Sequence, residues 1–264
     1  MRRMWRYIRL YSSFLRICAI REMEARGSFV VGSLLILLSS FFPLLFVGAI
    51  YSQVKSLGGW TFYEYLLLVG TFQIMTGIIF GLFAQNMFGM PDYVRKGELD
   101  FFLLKPVNSQ FMLTTRYVRF NEMAAILLGV LLIAIGVANL QLEIEWWRWL
   151  LYPFFVACGT LICYAIWFIM VTPTVWIIRL ETQELFIGIF DLGRYHPNMF
   201  NGLIKTILIY ILPIGIVVAT PSDLLLNRLG WQEAGWTLIV AAFLLFVSSR
   251  FWRFAQTRYY GASS

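Results

Sequence analysis

The chain has 264 residues, of which 60% are hydrophobic, 18% aromatic and only 13% charged. Soluble domains carry about 25% charged residues, so this composition, with a mean hydropathy of +0.74, excludes an ordinary soluble protein and points to the membrane. The net charge of +7 does not mark a nucleic-acid binder, because each basic cluster abuts an apolar run instead of gathering on one folded face.

Residues 1–27 are rich in arginine and hold no run of bilayer length. They are too long for a secretory n-region, and the apolar run that follows is long enough to span, so they do not read as a signal peptide. Arg2, Arg6, Arg9, Ser13 and Arg16 recur at spacings of three and four, which places them on one helical face. Trp5, Ile8, Tyr11, Leu15 and Cys18 fall on the other, flanked by Tyr7, Leu10, Phe14 and Ile17. This pattern predicts an amphipathic helix in the membrane plane, apolar side down, with guanidinium groups at anionic lipid headgroups. The alternative is a basic topology anchor of no fixed structure.

A hydrocarbon layer about 30 Å thick requires about 20 apolar residues per helix. Six runs qualify: 29–50, 62–88, 120–140, 149–178, 204–220 and 236–253. Pro43, Pro153, Pro173 and Pro213 do not argue against helix there, since neighbouring helices re-satisfy freed backbone groups. A transmembrane barrel needs short alternating segments and is excluded. The expected fold is an all-α integral membrane protein: one domain over 1–264, with an N-terminal interfacial helix (1–27), six transmembrane helices and a loop (89–119) between the second and third. On that topology all but three of the 21 lysines and arginines (Lys55, Arg148 and Arg228) fall on one side. The positive-inside rule makes that side cytoplasmic, with both termini there. Trp60, Tyr63 and Tyr65, then Trp146, Trp147, Trp149 and Tyr152, then Trp231 and Trp236 mark the outer boundary as an aromatic belt.

Charge is nearly absent from the spans. Glu64, Glu122 and Arg179 stand near span ends, within reach of headgroups. Uncharged polar residues remain, chiefly Thr71, Gln73, Thr76, Gln85 and Asn86 on the second span, with Thr172 and Thr174 beside Pro173. Gln73 and Thr76, three apart, share a face turned either to a translocation path or to a partner helix.

Between the second and third spans runs the segment RKGELDFFLLKP (95–106). Pro91 and Asp92 are suited to open a short helix before it. Gly97 supplies a position free of Cβ where the chain can turn sharply. Glu98, Leu99 and Asp100 place two carboxylates beside an apolar residue, and Phe101, Phe102, Leu103 and Leu104 follow. Lys105-Pro106 ends the element, Asn108 or Ser109 caps the next helix, and Arg116 and Arg119 lead back to the membrane. A short element of mixed charge and large apolar side chains is suited to a partner's groove. The alternative is an ordinary basic loop.

No catalytic or metal constellation converges. Lys55, Lys96, Lys105 and Lys205 follow Val, Arg, Leu and Ile, so no Gly-Lys-Ser/Thr P-loop exists. The single histidine, His196, excludes zinc sites built from two histidines and reads as a turn residue beside Pro197 in a cytoplasmic loop. Cys18, Cys158 and Cys163 read as reduced packing residues.

The loop resembles that of ABC-2-type transporter permeases, which carry a Gly-x-Leu-Asp core followed by Leu, a basic residue and Pro. Gly97, Leu99, Asp100, Leu104, Lys105 and Pro106 stand at those positions. The stretches LGRYHPNMFNGLIKTILIYILPIGIVVATPSDLLL (192–226) and RYYGASS (258–264) agree, and such permeases also begin with an interfacial elbow helix. The resemblance implies the membrane subunit of an ABC exporter in a bacterial cytoplasmic membrane. The chain itself would bind no cofactor; ATP and Mg would be held by a separate ATPase subunit, two copies per complex. That partner would contact Pro91, Asp92, Arg95, Lys96, Gly97, Glu98, Leu99, Asp100, Leu103, Leu104, Lys105 and Pro106. A second permease, the same chain or a related one, and membrane lipids complete the expected partners. The alternative function is a membrane scaffold or membrane-embedded enzyme without transport activity.

Overall fold

The computed structural model describes residues 2–177, 180, 182–200 and 202–259, with only the backbone of Arg2, Arg3 and Met4. Arg179, the Arg2 side chain and the end of RYYGASS therefore lie outside the described residues. Among the described residues all regular structure is helical, apart from one antiparallel bridge between Leu57 and Trp60.

Helix α1 (Arg2–Glu24) is separated by a break at Ala25 from α2 (Arg26–Tyr51). Helix α3 (Phe62–Arg95) runs for 34 residues through a π turn at Phe80–Ala84. Two short helices follow, α4 (Leu99–Leu103) and α5 (Ser109–Thr115). Helices α6 (Phe120–Leu140) and α7 (Trp146–Val175) then follow, joined by a short connection. The remainder is α8 (Gln183–Asp191), α9 (Leu203–Ile211), α10 (Ile214–Leu225) and α11 (Trp231–Thr257). Five helices (α2, α3, α6, α7 and α11) are each long and apolar enough to cross a membrane. They sit within a few residues of five of the six expected spans.

The expected fifth span, 204–220, is different. It is the pair α9 and α10, bent by 86° at Leu212–Pro213. Trp236, near the start of α11, donates its indole N–H to the Ile209 carbonyl at 3.5 Å. Arg148, near the start of α7, donates to the Leu224 carbonyl at 3.1 Å. The traverse from the termini's end is made instead by residues 183–199. Phe186 stacks on Trp167 at 4.0 Å, in the C-terminal third of α7, and Phe190 on Phe72 at 5.0 Å, about a third of the way along α3. His196 then meets Trp60 at 4.5 Å, and its Nε2 lies 3.0 Å from the Asp223 carboxylate. His196 thus sits at the end opposite the termini, a correction to its expected loop. The physical reason is that an apolar run registers composition and not direction, and Pro213 breaks this one. Arg194 and Lys205 leave the termini's end with it, yet most of the basic residues stay there.

The bundle is held by close backbone approach and short polar bonds. Helices α3 and α6 cross where Gly70 faces Gly129: a Cβ on Gly129 would lie 2.5 Å from the Gly70 carbonyl oxygen. Seven residues on, Gly77 meets Ile126 and Glu122, and Gly136 meets Tyr63 and Leu67. In lipid, where no hydrophobic force drives helices together, such small-residue contact supplies the packing energy. Thr71 is 3.0 Å from the Tyr152 hydroxyl and accepts from Ser222 at 3.2 Å, joining α3, α7 and α10.

Several polar and aromatic residues turn inward, against expectation. Glu64 pairs with Arg228 and also accepts from the Thr61 backbone at 2.8 Å; Glu122 pairs with Arg119 at 3.5 Å. Both carboxylates reach protein instead of headgroups, since a lipid-facing charge is costly. Trp60, Tyr65 and Tyr152 are buried, while Trp146, Trp149 and Trp231 are exposed, as a belt requires.

Candidate functional site

Helix α3 continues past the π turn to Arg95, so Pro91 and Asp92 lie inside its last turns and do not open a new helix. The helix is already formed when it reaches Pro91, which therefore removes one hydrogen bond without stopping it. Asp92 binds Arg95 at 2.7 Å on an exposed face, a pair worth little in solvent. Gly97 takes φ +70°, a left-handed conformation that L side chains seldom adopt, and α4 follows.

Two faces of α4 have opposite fates. Leu99 and Phe102, three apart, are 1% and 3% exposed. The Phe102 ring meets Tyr93 at 5.0 Å and carries Lys105 Nζ and the Arg116 guanidinium at 5.6 Å each. On the other face Phe101 is 68% and Leu104 81% exposed. Around this apolar pair stand exposed Arg95, Lys96, Glu98, Lys105 and Pro106, with Asp100 and Leu103 half-buried. Leu99 is thus an anchor of the element, and Phe101, which the motif does not single out, takes the exposed place. Its signal is the three-residue spacing to Leu104.

This element is tied into the bundle. Asn108, not Ser109, caps α5, accepting from the Phe111 N–H at 3.1 Å. Ser109 accepts from the Trp252 indole at 3.0 Å and binds Gln256. Helix α1 lies along the return segment: the Tyr7 hydroxyl accepts from the Asn108 N–H at 3.1 Å, and Tyr7 packs edge-on against Phe111 at 5.1 Å. Farther along, Cys18 Sγ accepts from the Val118 N–H at 3.4 Å, and the Glu22 carboxylate accepts from the Phe120 N–H at 2.9 Å. From the other side the Arg119 N–H donates to the Gly81 carbonyl at 2.8 Å, an acceptor freed within the π turn. The Asn86 amide bonds the Tyr117 backbone in both directions, at 2.7 and 2.8 Å. Residues 116–120 therefore link α4, α1 and α3 mechanically. Arg6, Arg9 and Arg16 are exposed along α1, and so are Trp5 and Ile8 of the apolar face expected to lie toward lipid.

Gln73 and Thr76 line a cavity of about 530 Å³ bounded by α2, α3 and residues 190–195. Across it Arg194 binds Asp191 at 2.6 Å and lies over the Phe72 ring at 5.3 Å, while its buried Nε has no hydrogen-bond partner among the described residues. Thr76 satisfies itself on the Phe72 carbonyl at 2.8 Å. Gln73 is only 6% exposed, yet no hydrogen bond ties its amide to another described residue. The amide therefore contributes no bond to the fold, and Gln73→Leu is expected to leave the thermal unfolding midpoint within about 1 kcal/mol equivalent of the parent. A larger loss would mean that Gln73 supports the bundle instead of facing the cavity. Among the described residues no group of three or more His, Cys, Asp or Glu side chains is placed to hold a metal ion.

A family model described as ABC-2 family transporter protein matches residues 36–263, a range that includes the α4 element and the membrane bundle from the middle of α2 onward. The chain belongs to the ABC-2 transporter family. It is therefore a multi-pass membrane permease, of a family whose members are generally non-catalytic and work with an ATP-binding partner. Neither the curated proteins nor the solved structures offer a match. In this ABC-2 permease, α1 lies outside the matched range.

Proposed function

We propose that this permease is the membrane half of an exporter, driven by a separate ATPase subunit that docks on residues 91–106. The observation that carries the reading is the Phe101–Leu104 pair, exposed on an element whose opposite face, Leu99 and Phe102, is fixed in the bundle. An apolar pair ringed by Arg95, Lys96, Glu98 and Lys105 has the anatomy of a docking site, apolar centre and charged rim. Two ATPase copies would hold ATP and Mg between them, and two permeases, this chain twice or with a related chain, would enclose the path. Helix α2 supports pairing, since none of its residues is buried and its apolar surface has room for a second permease or lipid. The surplus of arginine and lysine at the termini's end supports a cytoplasmic placement of both termini in a bacterial inner membrane, with α1 in the interface.

On this reading, ATP binding closes the ATPase dimer and displaces α4. Residues 116–120 carry the displacement to α1 and to the π turn of α3, and α2, α3 and residues 190–195 then shift around the cavity that holds Gln73 and Thr76. The test is co-purification and ATP hydrolysis with a candidate ATPase subunit co-expressed with this chain. Asp100→Arg is expected to lower coupled hydrolysis at least about tenfold, a loss of about 1.4 kcal/mol, while the permease inserts at parental levels. Gly97→Trp is expected to act in the same direction with added backbone strain at φ +70°. Unchanged coupling in both variants overturns the docking assignment.

A further inference from the structure

We infer that the groove between α1 and the segment after α4 binds the phosphate headgroup of an anionic phospholipid. Two adjoining depressions, of about 510 and 440 Å³, share Arg6 and Val107 as lining residues. Arg9 joins Arg6 in one and Lys105, whose ammonium also lies over the Phe102 ring, joins it in the other, so three cationic side chains line the two adjoining depressions. No acidic side chain lines either depression. Among the described residues none of the three forms an ion pair, although five other arginines of the chain do. Like charges lining one groove repel, and a phosphate placed among them relieves the repulsion through charge-assisted hydrogen bonds. The wall of the groove is apolar, with Trp5, Leu10 and Val107. Trp5 is exposed, at the level where an indole meets headgroup and acyl chain.

The inference uses the proposed interfacial placement of α1 but not the docking of an ATPase. Its consequence is specific to this fold. Arg6 and Arg9 belong to α1, whereas Lys105 belongs to the end of the α4 element, so a bound headgroup bridges the two. The direct hydrogen bond there from the Asn108 N–H to the Tyr7 hydroxyl would then be reinforced by a lipid. Anionic lipid would stiffen the junction through which the proposed displacement of α4 reaches α1.

The test needs only the purified permease in neutral detergent. Phosphatidylglycerol, phosphatidylcholine with the same acyl chains, and inorganic phosphate are titrated separately, and the thermal unfolding midpoint is followed. Phosphatidylglycerol is expected to raise the midpoint and phosphatidylcholine to leave it in place. In the double variant Arg6→Gln with Arg9→Gln, the phosphatidylglycerol concentration needed for half the shift is expected to rise about 25-fold, about fivefold per cation lost. Arg21→Gln, on α1 but outside the groove, is expected to titrate like the parent. An equal shift with phosphatidylcholine, or an unchanged response in the double variant, overturns the site. A loss in Arg21→Gln as large as in the double variant reduces it to general surface charge. If inorganic phosphate alone reproduces the shift, the ligand is a free anion and the lipid assignment fails. None of these outcomes bears on ATPase coupling.

Discussion

Replacing Gly129 by leucine is expected to prevent the permease from accumulating as folded protein, and even Gly129→Ala is expected to lower its thermal midpoint strongly. A Cβ at Gly129 would lie 2.5 Å from the Gly70 carbonyl oxygen, 2.7 Å from Ile74 Cγ1 and 2.9 Å from the Ile74 backbone nitrogen. Two of those three neighbours are backbone, so no rotamer change makes room and the α3–α6 axes must separate. The reverse substitution meets the same limit, because a Cβ at Gly70 would lie 2.8 Å from the Gly129 carbonyl oxygen. Overpacking that side chains can absorb costs about 1–3 kcal/mol; moving two helices apart forfeits packing along the pair and is expected to exceed that range. Gly27→Ala and Gly48→Ala in α2 are the controls, since nothing lies within 4 Å of either position. Alanine there is expected to be neutral or to stabilise by up to about 1 kcal/mol through helix propensity. Fluorescence-detected size exclusion with a heating series measures all four variants. A parental midpoint in Gly129→Leu would mean that α3 and α6 do not pack as described.

What a single sequence reveals about this fold depends on whether the signal is local. Apolar runs are local, so α2, α3, α6, α7 and α11 stand close to where composition places them. Gly97 is also local, because one backbone position needs φ +70° and glycine supplies it at little cost. The bent pair α9–α10 is not: the two arms together are long and apolar enough for one span, and composition does not register the 86° bend at Leu212–Pro213. The placement of His196 is likewise non-local. Its partners, Trp60 and Asp223, lie far away in sequence and carry no mark of the pairing. Glu64 looked like a headgroup-facing carboxylate because Arg228 stands 164 residues away. In the α4 element the spacing separates Leu99 and Phe102 from Phe101 and Leu104, but spacing alone does not say which pair is buried. Tyr93 and Arg116, arriving from α3 and the return segment, decide that. The motif residues drew attention to Leu99, and its burial makes Phe101 the residue to test.

Phe101→Asp combined with Leu104→Asp is expected to abolish capture of the ATPase subunit while leaving the permease folded. Both side chains are mostly exposed, at 68% and 81%, so charge placed there removes no contact from the bundle. If they fill a groove in the partner, each truncation costs at least about 2 kcal/mol of binding, as for interface anchors generally. Their joint loss of about 4 kcal/mol corresponds to roughly a thousandfold weaker complex. The added carboxylates stand beside Glu98 and Asp100, so any partner that complements the present charge pattern is repelled further. Leu99→Ala makes the contrasting case. Leu99 is 1% exposed, and its truncation is expected to cost about 2–5 kcal/mol of permease stability through the cavity it leaves. Its effect on capture would then follow from loss of the platform beneath Phe101 and Leu104. Arg95→Gln breaks only the exposed pair with Asp92 and is expected to change affinity by about 1 kcal/mol or less. The order of effects on capture at equal amounts of folded permease therefore separates the two roles of α4. Should the double aspartate variant retain the ATPase while Arg95→Gln loses it, charge and not the apolar pair would carry the contact, and the exposed face of α4 would not be the docking surface.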